Sequence, residues 1–323
     1  MTEMTPTTLW PQNNRTGCKF DSQSGAVTVY IISQFICLFG LLGNSIVLWF
    51  LRLFIRKNPI IPYIFSLALA DAAYLLCCLV IVSMFNAAHF SRSPFPQAWC
   101  LPILILFKVE LSSYSTGLYL LTVISVERCL GALCPFWYRF RRPEWVSSAV
   151  SIGLWSLAIL QSGLSIFFLW ERSVNRKIDK AINAFNLLIC TPVMILSSLT
   201  LFAKVKCCSH PQNQPGHLHM TILLTVFFFV LCAVPLSVMT LFREYVNGFP
   251  GIFYLLASVN SSINPAIYFL VGCHRERWFR EPLLLILQRA LKEEKDSKVE
   301  EESIDKKQAA TLRQPGLLSL HNT

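Results

Sequence analysis

The sequence predicts an all-α membrane protein, a seven-transmembrane helix bundle followed by a short amphipathic cytoplasmic helix. Of the 323 residues, 54% are hydrophobic and 14% are charged, which is too little charge to cover a soluble domain of this size. The polar residues cluster in the first 25 residues, between apolar runs and after Gly272. Seven apolar stretches each reach the length of about 20 residues that a helix needs to cross a bilayer.

The seven stretches lie at 27–51, 60–85, 100–130, 145–170, 182–206, 218–243 and 250–272. The third is the least apolar, and the fifth and sixth contain Pro192 and Pro235. Buried bundle helices tolerate such prolines because neighbouring groups satisfy the freed carbonyls. Residues 1–26 precede the bundle, 273–291 form a basic amphipathic segment suited to a membrane surface, and 292–323 are predicted to be disordered.

The distribution of basic residues predicts the orientation. Short loops and the proximal tail carry eleven lysines and arginines on one side of the bundle, against eight on the other. The richer side is expected to be cytoplasmic, which places the N-terminus outside and the C-terminus inside the cell. Asn14 begins an Asn-Arg-Thr glycosylation acceptor, which agrees. Since the net charge of +10 lies beside the membrane, the lipid bilayer explains it better than nucleic acid does.

Asp71 lies in the middle of the second stretch, where an ionisable group costs at least a few kcal/mol. It is either a structural acid that is hydrogen-bonded to other helices or an ion or proton site that changes between states. Polar residues of the first and seventh stretches could contact it, namely Asn44, Asn260, Ser261 and Asn264.

Glu110 precedes Arg128 by 18 residues, or five turns of 3.6 residues, so the two share one face of the third helix. Because Arg128 is at the cytoplasmic end, Glu110 is expected to line an outward-opening ligand cavity together with Tyr114. Alternatively, Glu110 pairs with a basic loop residue. Lys108, two residues earlier, points elsewhere and is expected at the membrane interface. A transporter or channel that uses Asp71 and Glu110 as a relay is the rival function.

Enzymatic motifs are absent from the sequence, which has no GxSxG, HExxH, phosphate-binding glycine loop or metal-spaced Cys/His cluster. We therefore expect no catalysis and no cofactor. Of the twelve cysteines, only Cys18 and Cys100 lie in or beside an extracellular segment, and a bridge between them is predicted. Two free thiols or a bridge to another copy are the alternatives. Cys273, at the end of the last stretch, is a palmitoylation candidate.

Short patterns occur one per helix and in order: Gly43-Asn44, Leu67-Ala68-Leu69-Ala70-Asp71, Glu127-Arg128-Cys129, Trp155, Pro192, Pro235 and Asn264-Pro265-Ala266-Ile267-Tyr268. Together they resemble the rhodopsin-like G-protein-coupled receptors over residues 27–291. The glutamate and cysteine that flank Arg128 resemble the Mas-related group more narrowly, as does Pro135-Phe136-Trp137-Tyr138-Arg139.

The resemblance implies a plasma-membrane receptor that converts binding of a peptide or small molecule into activation of a heterotrimeric G protein, with arrestin as a further partner. Arg128 would contact the G protein, or Glu127 in the inactive state. Tyr268 would swing inward on activation. Trp137 and Tyr138 would lie in the second intracellular loop, against the partner. A family member that no longer signals is the remaining alternative.

Three departures from the common receptor pattern concern the switch in the sixth helix, the sodium site and the extracellular bridge. The sixth stretch reads Cys232-Ala233-Val234-Pro235 and lacks the usual aromatic residue of the switch. Gly117 replaces a serine often used by the sodium site, which argues against a sodium ion beside Asp71. The loop 171–183 has no cysteine, so the usual bridge to the third helix cannot form.

Overall fold

The computed structural model describes residues 24–52, 60–91, 97–143, 145–208, 224–241 and 251–273. The first four long helices are Ser24–Leu51, Ile61–Ser91, Cys100–Leu133 and Val146–Phe167, with a loop helix at Pro135–Phe140 between the third and the fourth. The fifth helix is composite and comprises Arg172–Phe185, a π-helical segment at Asn186–Cys190, and Thr191–Cys208. The sixth comprises residues 224–228, a π-helical segment at Phe229–Ala233, and Val234–Leu241, and the seventh is Gly251–Cys273.

The all-α prediction is confirmed, since a helix occupies each of the seven predicted stretches within the described residues. The first five helices are each long and apolar enough to cross a membrane. Their outer faces carry large exposed apolar side chains such as Phe39, Leu160 and Phe167. A helix that is apolar on the outside as well as the inside is typical of a protein whose solvent is lipid.

The third helix lies at the centre of the bundle and packs against the second, fourth and fifth helices. The first helix packs against the second and the seventh. The main buried core gathers Tyr74 from the second helix, Leu118 and Tyr119 from the third and Met194 from the fifth. This arrangement directs the polar residues of the second, third and seventh helices towards one another.

Two glycines set the close approach of the first helix to the seventh. A Cβ atom added at Gly40 would lie 2.1 Å from Ser262 Oγ and 2.8 Å from Leu75 Cδ1. One added at Gly43 would lie 3.0 Å from Pro265 Cβ. The backbone at these positions therefore occupies space that a side chain would otherwise fill.

Each π-helical segment ends two residues before a proline. Cys190 precedes Pro192 in the fifth helix, and Ala233 precedes Pro235 in the sixth. Proline removes an intrahelical hydrogen bond, and a π turn is one way in which a helix accommodates that loss. In the fifth helix, Thr191 Oγ1 also donates to the carbonyl of Asn186 at 2.9 Å. Both helices thus carry a built-in place for bending.

The fifth helix begins at Arg172, although the apolar stretch was expected to begin at 182. The expected loop is helical, and two of its polar residues, Asn175 and Asn183, are buried on the face that packs against the bundle. Hydropathy does not detect such a face. Most of residues 1–26, the predicted amphipathic helix at 273–291 and the predicted disordered tail lie outside the described residues.

Candidate functional site

Asp71 lies at the centre of a buried polar cluster between the second and seventh helices. Asn264 Nδ2 donates to Asp71 Oδ2 at 2.7 Å, and the hydroxyl of Ser261 also bonds this carboxyl group. From the first helix, Asn44 Nδ2 donates to the carbonyls of Gly40 at 2.9 Å and Ser261 at 3.1 Å. The structure therefore brings together four of the five residues predicted for this site.

The fifth predicted residue of the cluster, Asn260, is buried on the same helix as Ser261. Gly117 of the third helix faces the carboxyl group, because a Cβ atom there would lie 3.7 Å from Asp71 Oδ1. A serine at that position could contribute a hydroxyl oxygen, whereas glycine has no side chain and contributes none. The donors present suit a hydrogen-bonded carboxyl group that links two helices.

Glu110 is buried, with 3% of its surface exposed, so its carboxyl group lies inside the bundle. The thiol of Cys78, from the second helix, hydrogen-bonds to it. Cys78 Sγ lies 3.3 Å from Ser258 Oγ of the seventh helix. Glu110 is thus connected to the second and seventh helices through a thiol, an uncharged neighbour. A buried acid with such neighbours is costly when ionised.

Tyr114 lies one turn further along the third helix than Glu110. Its hydroxyl is 2.8 Å from Ser237 Oγ of the sixth helix, and its ring centroid is 6.2 Å from that of Tyr74. Glu110 and Tyr114, the two residues predicted for the ligand pocket, therefore share a buried layer where the second, third, sixth and seventh helices meet. Neither Ser237 nor Cys78 was recognised from the sequence, because no local pattern marks either of them.

Glu127 is held at the other end of the third helix by Arg142, which follows the loop helix. Arg142 Nε donates to Glu127 Oε2 at 3.0 Å, and Nη2 donates to Oε1 at 2.9 Å. Tyr63 of the second helix donates to Oε1 at 3.1 Å, and Arg142 Nη2 donates to Ser147 Oγ of the fourth at 2.6 Å. This cluster of Glu127, Arg142, Tyr63 and Ser147 is called the loop latch below.

Burial lowers the pKa of Arg142, but the hydrogen bonds and the charge of Glu127 outweigh that effect, so the pKa lies above its ordinary value. Arg142 therefore remains charged. Glu127 was expected to pair with Arg128 in the inactive state. In the structure both of its carboxylate oxygens accept hydrogen bonds from Arg142, because the loop brings a residue from 15 positions later back to the third helix.

Arg128 is buried near the loop latch, and Cys129 beside it is a half-buried free thiol. The loop helix next to them exposes apolar side chains: Phe136 is 71% exposed and Trp137 47%. Tyr138 differs from its neighbour. Its ring lies against Gly131 of the third helix, with the Arg142 guanidinium 5.2 Å from the ring centroid. Tyr138 thus supports the loop from within.

Lys108 lies towards the Cys100 end of the third helix. It was expected at the membrane interface, but it is mostly buried against the outer part of the fifth helix. Its Nζ donates to Asp179 Oδ2 at 2.5 Å and to Asn175 Oδ1 at 2.7 Å. Deeper in the same interface, Asn186 Nδ2 donates to Ser115 Oγ at 3.0 Å. Polar contacts therefore join the third helix to the fifth along this interface.

Cys100 takes part in a disulfide bond. Seven other cysteines whose side chains the structure describes are free, namely Cys37, Cys77, Cys78, Cys129, Cys134, Cys190 and Cys232. Cys18 and Asn14 lie outside the described residues, as do the side chains of Tyr268 and Cys273. The pairing of Cys100 with Cys18 stays a prediction.

Comparison with known proteins identifies the relatives of this chain. The family model described as "7 transmembrane receptor (rhodopsin family)" matches residues 43–268. The chain is 35% identical to "Mas-related G-protein coupled receptor member D" of Macaca fascicularis, over 81% of this chain and 84% of the relative. It is 36% identical to "Proto-oncogene Mas" of Mus musculus, over 79% and 81%. It is 34% identical to "Mas-related G-protein coupled receptor member A4" of Mus musculus, over 90% and 94%.

Proposed function

We propose how this chain, which belongs to the rhodopsin family of seven-transmembrane receptors and to its Mas-related group, passes a signal across the membrane. It is a multi-pass plasma-membrane receptor that binds an extracellular ligand and couples to a heterotrimeric G protein. In our proposal the chain catalyses no reaction itself. The ligand enters from the Cys100 end, and the G protein binds at the Arg128 end. Arrestin would bind at the Arg128 end as well.

The orientation in this proposal places the N-terminus outside the cell. The excess of basic residues on the side of the Arg128 end supports it, because such residues are retained on the cytoplasmic side. The acceptor at Asn14 would then be glycosylated. We expect Asn14→Gln to lose one glycan. The variant should then give a faster gel band that glycosidase treatment no longer shifts. An unchanged band would contradict the orientation or the use of this acceptor.

The proposed G-protein contact combines Arg128 with the exposed aromatic side chains of the loop helix. Phe136, Trp137 and Phe140 are exposed in the loop between the third and fourth helices, where a cluster of apolar side chains marks a protein-binding surface. This exposed cluster is the observation that carries the proposal. Tyr138 was also predicted to face the partner, but its position beneath Arg142 favours a supporting role.

The loop latch connects that contact surface to the transmembrane helices. It ties the loop to the second, third and fourth helices through charged and neutral hydrogen bonds. In our proposal the latch fixes the position of the exposed aromatic side chains in the absence of ligand. Tyr268 and the Asp71 cluster would change their contacts as the receptor activates, since both lie on the helices that border the Arg128 end.

The test fuses a G-protein α subunit to the C-terminus, one fusion for each α-subunit class, and measures GTP turnover in membranes without ligand. Tethering raises the effective concentration to the millimolar range, so that weak ligand-free coupling becomes measurable. We expect turnover above that of the isolated α subunit for at least one class, and a loss of most of it on Arg128→Ala. Arg141→Ala, which removes an exposed charge at the same end, is the control. Equal turnover for wild type and Arg128→Ala would refute the assignment.

Glu110 is the proposed acid of the ligand site, with Tyr114 beside it. Its support is its position in the layer between four helices and its uncharged neighbour Cys78. A cationic ligand would gain from a carboxylate there, and Glu110→Gln would weaken its binding by up to a few kcal/mol. An anionic or apolar ligand would be little affected or would bind better. An unaltered response to an identified cationic agonist would refute the pairing.

A further inference from the structure

We infer that the hydrogen bond between Tyr114 and Ser237 is the link through which the ligand layer controls the sixth helix. This inference rests on the proposed receptor function and names the regulation of the same site. The two oxygens are 2.8 Å apart, both residues are buried, and the bond joins the third helix to the sixth.

The position of Ser237 relative to the bend in the sixth helix supports this role. Ser237 lies two residues after Pro235, in the segment Val234–Leu241 that follows the π-helical turn. A helix bends most easily where a π turn and a proline interrupt its hydrogen bonds. The bond is therefore attached to the outer segment directly beyond the bend. A small movement of that segment would redirect residues 224–228 on the other side.

The outer segment of the sixth helix packs mainly against the fifth and seventh helices. The third helix reaches this segment through the Tyr114 side chain, whose hydroxyl group meets Ser237. The common receptor pattern has an aromatic residue close to the proline of the sixth helix, but this sequence has Ala233 two residues before Pro235. Because the sequence lacks that aromatic residue, we assign the coupling to the hydrogen bond between Tyr114 and Ser237.

Tyr114 is also connected to Glu110. The two residues are four positions apart, so they are neighbours on one face of the third helix. The Tyr74 ring contacts that of Tyr114, and Tyr74 is close to Glu110. A ligand that displaces Glu110 or Tyr74 therefore shifts the tyrosine, and the hydroxyl group passes the shift to Ser237. The bond holds the bend in its resting position, and its loss favours the signalling state.

The first experiment uses the receptor–G-protein fusion that turns over GTP without ligand. Tyr114→Phe and Ser237→Ala each remove one partner and should raise turnover by about two- to tenfold, the range that one net hydrogen bond changes an equilibrium. The double variant should equal either single variant, because the bond is already lost. Ser237→Thr retains the hydroxyl and should behave as wild type. Turnover that is unchanged or lower in both single variants overturns the inference.

Tyr119→Phe is the matched control. Tyr119 is buried on the same helix, and its hydroxyl accepts a hydrogen bond from Gln161 of the fourth helix at 3.0 Å. Tyr119→Phe therefore removes a hydroxyl oxygen, as Tyr114→Phe does, but from a hydrogen bond that does not reach the sixth helix. We expect its turnover to remain at the wild-type level when surface expression is matched. A rise equal to that of Tyr114→Phe would assign the effect to general loosening of the bundle and overturn the inference.

A second measurement needs no G protein. Cys232 lies in the π-helical turn, is a free thiol and is only 5% exposed, so alkylation reports on opening at the bend. Tyr114→Phe and Ser237→Ala should speed its reaction with a membrane-permeant maleimide severalfold, quantified by peptide mass spectrometry. Cys190, buried in the fifth helix, is the internal reference and should not change.

The two measurements separate the inference from the proposed function. Faster alkylation of Cys232 in a fusion that never turns over GTP would refute G-protein coupling and leave the link at the bend supported. The opposite result is GTP turnover that Arg128→Ala abolishes but that Tyr114→Phe does not change, together with unchanged alkylation of Cys232. It would support the receptor function and refute the link.

Discussion

Replacing Gly40 by alanine should destabilise the bundle more than the same change at Gly43, Gly117, Gly131, Gly153 or Gly163. The new Cβ atom would lie 2.1 Å from Ser262 Oγ and 2.8 Å from Leu75 Cδ1, against ordinary carbon contacts of about 3.5–4.0 Å. The Ser262 hydroxyl also donates to the carbonyl of Ile36 at 3.1 Å, so a rotation that removes the clash breaks that bond. Overpacking costs about 1–3 kcal/mol, and the lost hydrogen bond adds about 1 kcal/mol.

The assay is the temperature at which half of the detergent-solubilised receptor loses its monomer peak on size-exclusion chromatography. About 2–4 °C per kcal/mol gives an expected fall of several degrees for Gly40→Ala. Gly153→Ala and Gly163→Ala are the controls, because a Cβ atom at either fourth-helix position meets no atom within 4 Å. Alanine is also the better helix former, so these controls should be neutral or slightly stabilising. An equal midpoint for all three variants would refute the close packing of the first helix.

Three further predictions use the same thermal assay. Lys108→Glu should destabilise the receptor by about 1.5–3 kcal/mol through loss of its charged hydrogen bonds. Adding Asp179→Lys should recover part of that loss. A double variant no more stable than Lys108→Glu alone would contradict the pairing. Cys100→Ser and Cys18→Ser should each cost about 2–4 kcal/mol, with no further loss when the two are combined. Non-reducing peptide mapping should find the linked peptide. Free alkylation of Cys18 would exclude the pairing. Arg142→Met should cost about 3 kcal/mol because it leaves the partly buried Glu127 carboxylate without its cation. The control Arg141→Met changes an exposed residue and should be neutral.

Hydropathy and short motifs were sufficient to predict the helices and the Asp71 cluster. Each of the first five helices contains an apolar window long enough to cross a bilayer, and that property is read directly from the chain. The residues around Asp71 were predictable because each is a polar group within an apolar run, and a buried polar group needs a partner. Asn264 and Ser261 meet Asp71 as that reasoning requires.

The loop latch and the Lys108 contacts were not predictable from the sequence. Arg142 is one of several arginines in the same loop, and only the path of the chain determines which one reaches Glu127. Lys108 was assigned to the interface because a single lysine in an apolar stretch usually extends to water. Its partners Asn175 and Asp179 lie in a segment whose polarity suggested a loop, so neither the helix nor the ion pair was expected.

The outer part of the fifth helix has a consequence for how tightly a ligand binds. From Ser173 to Lys204 the helix is 32 residues long, or about 48 Å at 1.5 Å per residue, whereas the hydrocarbon core is about 30 Å thick. Its first turns therefore stand above the hydrocarbon as a wall, held to the third helix by Lys108. A pliable loop in that place would lose conformational entropy when it closed on a ligand. A wall that is already ordered avoids that loss, so more of the contact energy appears as affinity.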